Sequence, residues 1–173
     1  TILGARFQKL PFKVGAQVLE ASVIVTPDSA AGTQVTTNVY FQLKSDSAGF
    51  TSTNDNLGSR TPLTDKTSCT FTSQGPGIPV TCQATSLASA LQSVLASSNG
   101  WKDGNALSVF LAQTSASSSL SLRSYEYSPA DTIRLRVKLS NGSLTDNAYN
   151  VRDHLNGLVN SMLANKGTPN NPE

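Results

Sequence analysis

The sequence predicts a mainly β protein: an antiparallel β-sandwich with one short internal helix and one amphipathic helix towards its C-terminal end. Three observations carry that reading. Short stretches alternate apolar and polar residues with the two-residue period of half-buried strands. Gly, Pro, Asn, Asp and Ser punctuate them at short intervals, as in an all-β domain rather than a parallel α/β one. The helical period occurs in only two places.

Residues 4–9 open with a β-prone stretch, Ala5-Arg6-Phe7, and Lys13-Val14-Gly15-Ala16 makes a turn. Residues 17–26 alternate, with Leu19, Ala21, Val23 and Val25 on one face and Val18, Glu20, Ser22 and Ile24 on the other. In residues 34–44, Val35, Thr37, Val39, Phe41 and Leu43 share a face. Residues 45–64 read as a long polar loop. Cys69 and Cys82 then flank Gln74-Gly75-Pro76-Gly77. Turn chemistry between β-formers predicts a hairpin that sets the cysteines opposite each other, within the ~5.5 Å Cα separation of a disulfide. Two buried free thiols are the alternative. Residues 85–96 change period: Leu87, Leu91, Val94 and Leu95 give a short helix capped by Thr85 or Ser86. Residues 100–104 form a turn carrying Trp101, and 105–113, 120–127 and 132–140 are three further strands. In the last, Ile133, Leu135, Val137 and Leu139 alternate with Arg134, Arg136 and Lys138, one face on a core and one in water.

Residues 1–140 therefore read as one sandwich domain. Residues 141–147 read as a polar linker and 150–165 as an amphipathic helix, with Val151, Leu155, Leu158, Val159, Met162 and Leu163 on one stripe. Its Asn165-Lys166-Gly167 end is a glycine C-cap. Residues 141–173 thus either belong to a neighbouring domain or pack on the sandwich.

Composition narrows the function. The 173 residues suffice for one or at most two domains. Charged residues are only 14% and the net charge is +2, which excludes a strongly basic nucleic-acid binder. The surface is polar without being charged, since 24 Ser and 18 Thr are present. No apolar run approaches the ~20 residues of a membrane span. Thr1, with no initiator Met or leader, reads as a cut within a longer chain. With one His and two Cys, a zinc site of the usual kind lacks ligands. A triad built on His154 lacks an orienting acid, because its neighbour Asp153 points about 100° away on a helix. No phosphate-binding or metalloprotease motif occurs, so the expectation is a protein that is not an enzyme. A disulfide implies an oxidising compartment: periplasm, cell surface or extracellular space.

Candidate binding residues each carry two readings. Trp101 either stacks on a sugar or caps the sandwich core. Tyr125 and Tyr127 either line a binding face or are half-buried strand residues. Asp46, Asn54, Asp55 and Asp65 offer oxygen ligands for Ca²⁺, or are simply solvated. Phe50 is the apolar anchor of a recognition loop that presents Asp55, or a plug for the sandwich end. Arg134, Arg136 and Lys138 meet an anionic surface, or blunt an exposed edge. Asn141-Gly142-Ser143 matches a glycosylation sequon.

Three ordered stretches carry a resemblance. They are Gly4-Ala5-Arg6-Phe7-Gln8-Lys9-Leu10-Pro11 with Gly15-Ala16-Gln17-Val18-Leu19-Glu20-Ala21, then 94–107 with Asn99-Gly100-Trp101-Lys102-Asp103-Gly104-Asn105-Ala106-Leu107, then Ser124-Tyr125-Glu126-Tyr127-Ser128-Pro129. Together they resemble a β-sandwich module repeated in secreted bacterial surface proteins. That module is jelly-roll-like, as carbohydrate-binding and adhesin domains are, and fold alone does not assign its ligand. Residues 150–169, through Arg152, Leu155, Val159, Leu163, Gly167, Thr168 and Pro169, resemble a segment of the von Willebrand factor A domain in PilY-type tip adhesins of type IV pili. The resemblance implies Thr168 as a ligand of a divalent cation, Ca²⁺ or Mg²⁺, in a metal-dependent adhesion site. Lys166 departs from the family glycine, and the Asp-x-Ser-x-Ser half of that site is absent here.

The expected function is adhesion from the cell surface or pilus tip, to a host protein or glycan or to minor pilins. The alternatives are a carbohydrate-binding module appended to a polysaccharide-active enzyme, and a spacer without ligand.

Overall fold

The computed structural model describes residues 1–51, 57–114, 119–123, 131–140 and, for the backbone, 146–150. The eight strands are β1 (Ile2–Phe7), β2 (Gln17–Val25), β3 (Gln34–Phe41), β4 (Thr67–Thr72), β5 (Val80–Gln83), β6 (Leu107–Gln113), β7 (Arg134–Ser140) and β8 (Asp146–Asn150). They form two four-stranded antiparallel sheets, in the orders β1-β6-β3-β4 and β5-β2-β7-β8. The single α-helix among the described residues, α1 (Thr85–Leu95), followed by a short 3-10 turn (Ser97–Asn99), joins β5 to β6. Only β3–β4 and β7–β8 are both consecutive in the chain and paired; every other connection passes from one sheet to the other. This is the mainly β, sandwich-like architecture the alternation predicts.

The alternation also fixes which face is buried. Ala21, Val23 and Val25 of β2 meet Leu135, Val137 and Leu139 of β7 across the core from Val35, Val39 and Phe41 of β3 and Leu107, Val109 and Leu111 of β6. Each of these Val, Leu and Phe side chains contributes about 1.5–3 kcal/mol on leaving water. Helix α1 buries Leu87, Leu91, Val94 and Leu95 against β2 and β3. Its Gln92 accepts from the Val18 amide (2.7 Å) and donates to the Ala16 carbonyl (3.2 Å), holding the strand beside the irregularity between Val18 and Glu20. The expected cap is not formed. Ala84 is the N-cap and makes no side-chain cap bond, while the Ser86 hydroxyl is bonded to Thr67 Oγ1 (2.8 Å).

The cysteines are bonded, with Cα atoms 5.8 Å apart, but not in a hairpin. Cys69 lies on β4 of the first sheet and Cys82 on β5 of the second. The segment between these strands crosses the end of the sandwich, and sheets about 10 Å apart are within reach of so short a crossing. The disulfide therefore staples two edge strands together across the core.

Four further expectations are corrected. The strand expected over 34–44 ends at Phe41, after which Gln42 makes only an isolated bridge with Leu63. Of 120–127, the described part forms only a bridge between Leu122 and Pro27, because Asp28 and Arg123 exchange backbone bonds with Ser121 and Thr26. Asp146 and Asn147, read as linker, begin β8 and pair with Ser140 and Leu139. Arg134, Arg136 and Lys138 do not guard an edge, since β7 runs between β2 and β8 and Lys138 faces Glu20 across strands (3.5 Å). The helix expected over 150–165 lies, beyond its first residue, outside the described residues.

Candidate functional site

Loops gather at both ends of the sandwich. Where β2 passes to β3 and β4 to β5, Arg123 ties the connections together. Its guanidinium contacts Asp28 (3.3 Å) and Asp131 (3.2 Å) and lies where a Cβ on Gly77 would sit, 2.9 Å away. With φ at +79°, Gly77 is required twice over, for conformation and for space.

The long loop leaves β3 at the other end and folds back over the outer face of the first sheet. The register builds a cross-strand row there: Gly4 of β1 opposite Phe110 of β6, and Phe110 opposite Tyr40 of β3. Tyr40 and Phe110 point away from the main core, yet both are buried, their rings 5.5 Å apart. Phe50 covers them. Its ring meets Phe110 edge-on (6.2 Å), and Gly4 makes room beneath it: a Cβ there would lie 2.9 Å from Phe50 Cζ and from Leu57 Cδ2. The Arg60 guanidinium lies over the Phe50 ring, 4.5 Å from its centroid. From that position Arg60 donates to Gln42 Oε1 (3.3 Å) and to the carbonyls of Ala48 and Gly49, so a buried cation gathers the loop around itself. Burial raises the Tyr40 phenol pKa above its ordinary value.

Phe50 thus plugs the outer face of a sheet, not the sandwich end, and keeps 36% of its surface exposed. Trp101 is withdrawn as a sugar-stacking residue. It is 1% exposed, its indole N–H donates to the Phe12 carbonyl (2.8 Å), and its ring stacks on Phe12. Asp46 holds the loop base through the Ala106 amide (2.9 Å), and among the described residues no group of His, Cys, Asp or Glu could hold a metal ion. Asp55, Tyr125, Tyr127, the 141–143 sequon and Thr168 lie outside the described residues, as do the Asn54 of the oxygen-ligand set and His154.

Sequence reasoning missed Arg60, Tyr40 and Phe110. A signal for two of them was present. Leu107-Ser108-Val109-Phe110-Leu111 does not alternate, which marks a strand buried on both faces and so a second layer over the sheet. Tyr40 sits on the off-face of a strand that does alternate. Nothing local distinguishes Arg60 from any other loop arginine.

No protein-family model, no curated protein and no solved structure matches the chain.

Proposed function

We propose that the chain is a non-enzymatic adhesion module of a secreted bacterial surface protein, carried as an arm of a type IV pilus tip adhesin. The observation that supports this reading is a two-sheet sandwich whose edge strands are stapled by a disulfide. β4 and β5, the edge strands joined by the disulfide, lie at one side, so β1 and β8 are the edges of the other. β1 begins, and β8 ends, at the end of the sandwich where β2 turns to β3. The start of β1 and the end of β8 therefore share one corner, on the side opposite the stapled edge. The disulfide fits an oxidising compartment, and cell-surface exposure at a pilus tip is part of the proposal.

Beads coated with the protein should bind epithelial cells, and beads coated with reduced, unfolded protein should not. Binding to insoluble polysaccharide without binding to cells would favour a module appended to a polysaccharide-active enzyme. Binding to neither would leave the spacer reading and overturn this one.

A further inference from the structure

The end of the sandwich where β1 and β3 stop and β6 begins is roofed by three stretches of loop, residues 8–16, 42–46 and 100–106. Hydrogen bonds join them into one cap. The Leu10 amide donates to the Asn105 carbonyl (3.1 Å), and the Gly104 amide donates to the Leu10 carbonyl (2.9 Å). The Trp101 indole N–H donates to the Phe12 carbonyl (2.8 Å), and Asn105 Nδ2 donates to the Ser45 carbonyl (2.9 Å). Leu10, Phe12 and Trp101 are buried beneath, so the cap is anchored in the core.

Four of these anchors each have a lysine as chain neighbour: Lys9 before Leu10, Lys13 after Phe12, Lys44 before Ser45 and Lys102 after Trp101. All four lysines are exposed, and none forms an ion pair among the described residues. The cap holds two carboxylates, Asp103 and Asp46, and Asp46 accepts the Ala106 amide (2.9 Å). Asp65 and Lys66, where the long loop enters β4 at this same end, add one charge of each sign. At the opposite end the balance is reversed, because Arg123 is shared between Asp28 and Asp131. The described cap therefore keeps an excess of positive charge that the fold itself does not use. Lys9 sharpens the point. Its φ is +52°, a conformation that Gly or Asn adopts more easily, so the backbone does not account for a lysine there.

The cap also carries an apolar tip. Val14 is 54% exposed, whereas Leu10, Phe12 and Trp101 beside it in the cap are buried. It is the second residue of a turn closed by the Ala16 amide on the Lys13 carbonyl (3.2 Å), with Gly15 at φ +77° in the third position. Lysines without carboxylate partners around an apolar tip match a surface that is anionic at its face and apolar beneath. The headgroup layer of a bilayer containing anionic phospholipid is such a surface. A soluble polyanion would engage the lysines and leave Val14 in water. We propose that this end of the sandwich docks on a membrane surface containing anionic phospholipid, with Lys9, Lys13, Lys44 and Lys102 against the phosphates and Val14 at the headgroup boundary. The inference goes beyond the adhesion reading and does not rest on it.

The test is co-sedimentation with vesicles of phosphatidylcholine alone and of phosphatidylcholine with one-third phosphatidylglycerol. The protein should sediment only with the anionic vesicles, and less so as salt rises. Lys9→Asn keeps a residue that tolerates the left-handed backbone and removes the charge; Lys13→Gln, Lys44→Gln and Lys102→Gln remove the others. Each should weaken partitioning about fivefold. Arg136→Gln, at an exposed position on the outer face of the second sheet, is the control and should change nothing. Val14→Ser should weaken vesicle binding severalfold while leaving retention on immobilised polyglutamate unchanged. All these positions are exposed, so melting temperatures should stay within a few degrees of the wild type. No sedimentation with the anionic vesicles, equal sedimentation with both kinds, or a loss in Arg136→Gln as large as in the lysine variants each overturns the proposal. A Val14→Ser protein that binds anionic vesicles as the wild type does would also overturn it, because the cap would then act by charge alone, as a site for a soluble polyanion or an acidic protein.

Discussion

Phe50 and Trp101 show how burial sorts two aromatic residues that look alike in a sequence. Both sit among Gly, Asn, Asp and Ser, the composition of an exposed turn. Trp101 is pulled inward by the Phe12 ring and by a carbonyl that takes its N–H. Trp101→Phe removes that bond and leaves space, so a loss of about 1–3 kcal/mol is expected, read as a melting temperature several degrees lower. An unchanged melting temperature would mean that the indole bond contributes nothing. Tyr40 gives a pH signature at the same scale. Its folded pKa is raised by burial, so the folded state holds its proton where the unfolded state has released it. The stability this provides is complete below the ordinary tyrosine pKa of about 10 and is lost as pH rises through the folded value. Absorbance titration should show one of the 4 tyrosines ionising later than the ordinary value, and Tyr40→Phe should remove that late component. A Tyr40→Phe protein with the same late phase contradicts the assignment.

At the level of elements, the disulfide carries the clearest prediction. The chain-entropy argument assigns about 3 kcal/mol to closing a loop of this length. Intact mass without reductant should be two hydrogens below the reduced value, and the Cys69→Ser, Cys82→Ser double variant should lose about that stability in urea titration. Two alkylatable thiols in freshly purified native protein would remove the basis for this. The pairing was legible in the sequence, but the geometry was not. A Gly-Pro-Gly turn specifies a reversal of the chain and says nothing of which sheet the next strand joins. That is decided by Val80 and Cys82 finding Val25 and Val23 of β2. β3, β7 and α1 were readable because each carries an unbroken period over seven or more residues; β6 was readable as an apolar run, and β2 as an alternation that the irregularity between Val18 and Glu20 interrupts, leaving Leu19 exposed. β8 was not, because Asp146-Asn147-Ala148-Tyr149-Asn150 has the composition of a loop and becomes a strand only through pairing with β7. The aromatic layer under Phe50 was half legible. The apolar run of β6 marks a covered outer face, but a cover 60 residues distant in the chain, as Phe50 is from Phe110, leaves no local trace.

The whole molecule is asymmetric from side to side, and this has a measurable consequence. Edge strands open more easily than central ones, because one row of their backbone groups pairs with no neighbour in the sheet. In the order β1-β6-β3-β4 facing β5-β2-β7-β8, all four outer positions should then exchange amide hydrogens early. The disulfide breaks that equivalence. For β4 or β5 to separate it must drag its partner across the core, where Cys69 and Cys82 are both buried, whereas β1 and β8 carry no such link. Hydrogen exchange followed by mass spectrometry should therefore rank β2, β3, β6 and β7 slowest, β4 and β5 intermediate, and β1 and β8 fastest. A mild reductant should move β4 and β5 towards the rate of β1 and β8 while leaving the latter pair where it was. The same asymmetry bears on display. If the chain is held at the β1–β8 corner, pulling begins at the side that opens first, and the staple preserves the far edge of the sandwich while the near edge frays. β1 and β8 exchanging as slowly as β4 and β5 in the oxidised protein, or all four edges accelerating equally on reduction, would show that the disulfide acts on global stability alone and that the sandwich has no weak side.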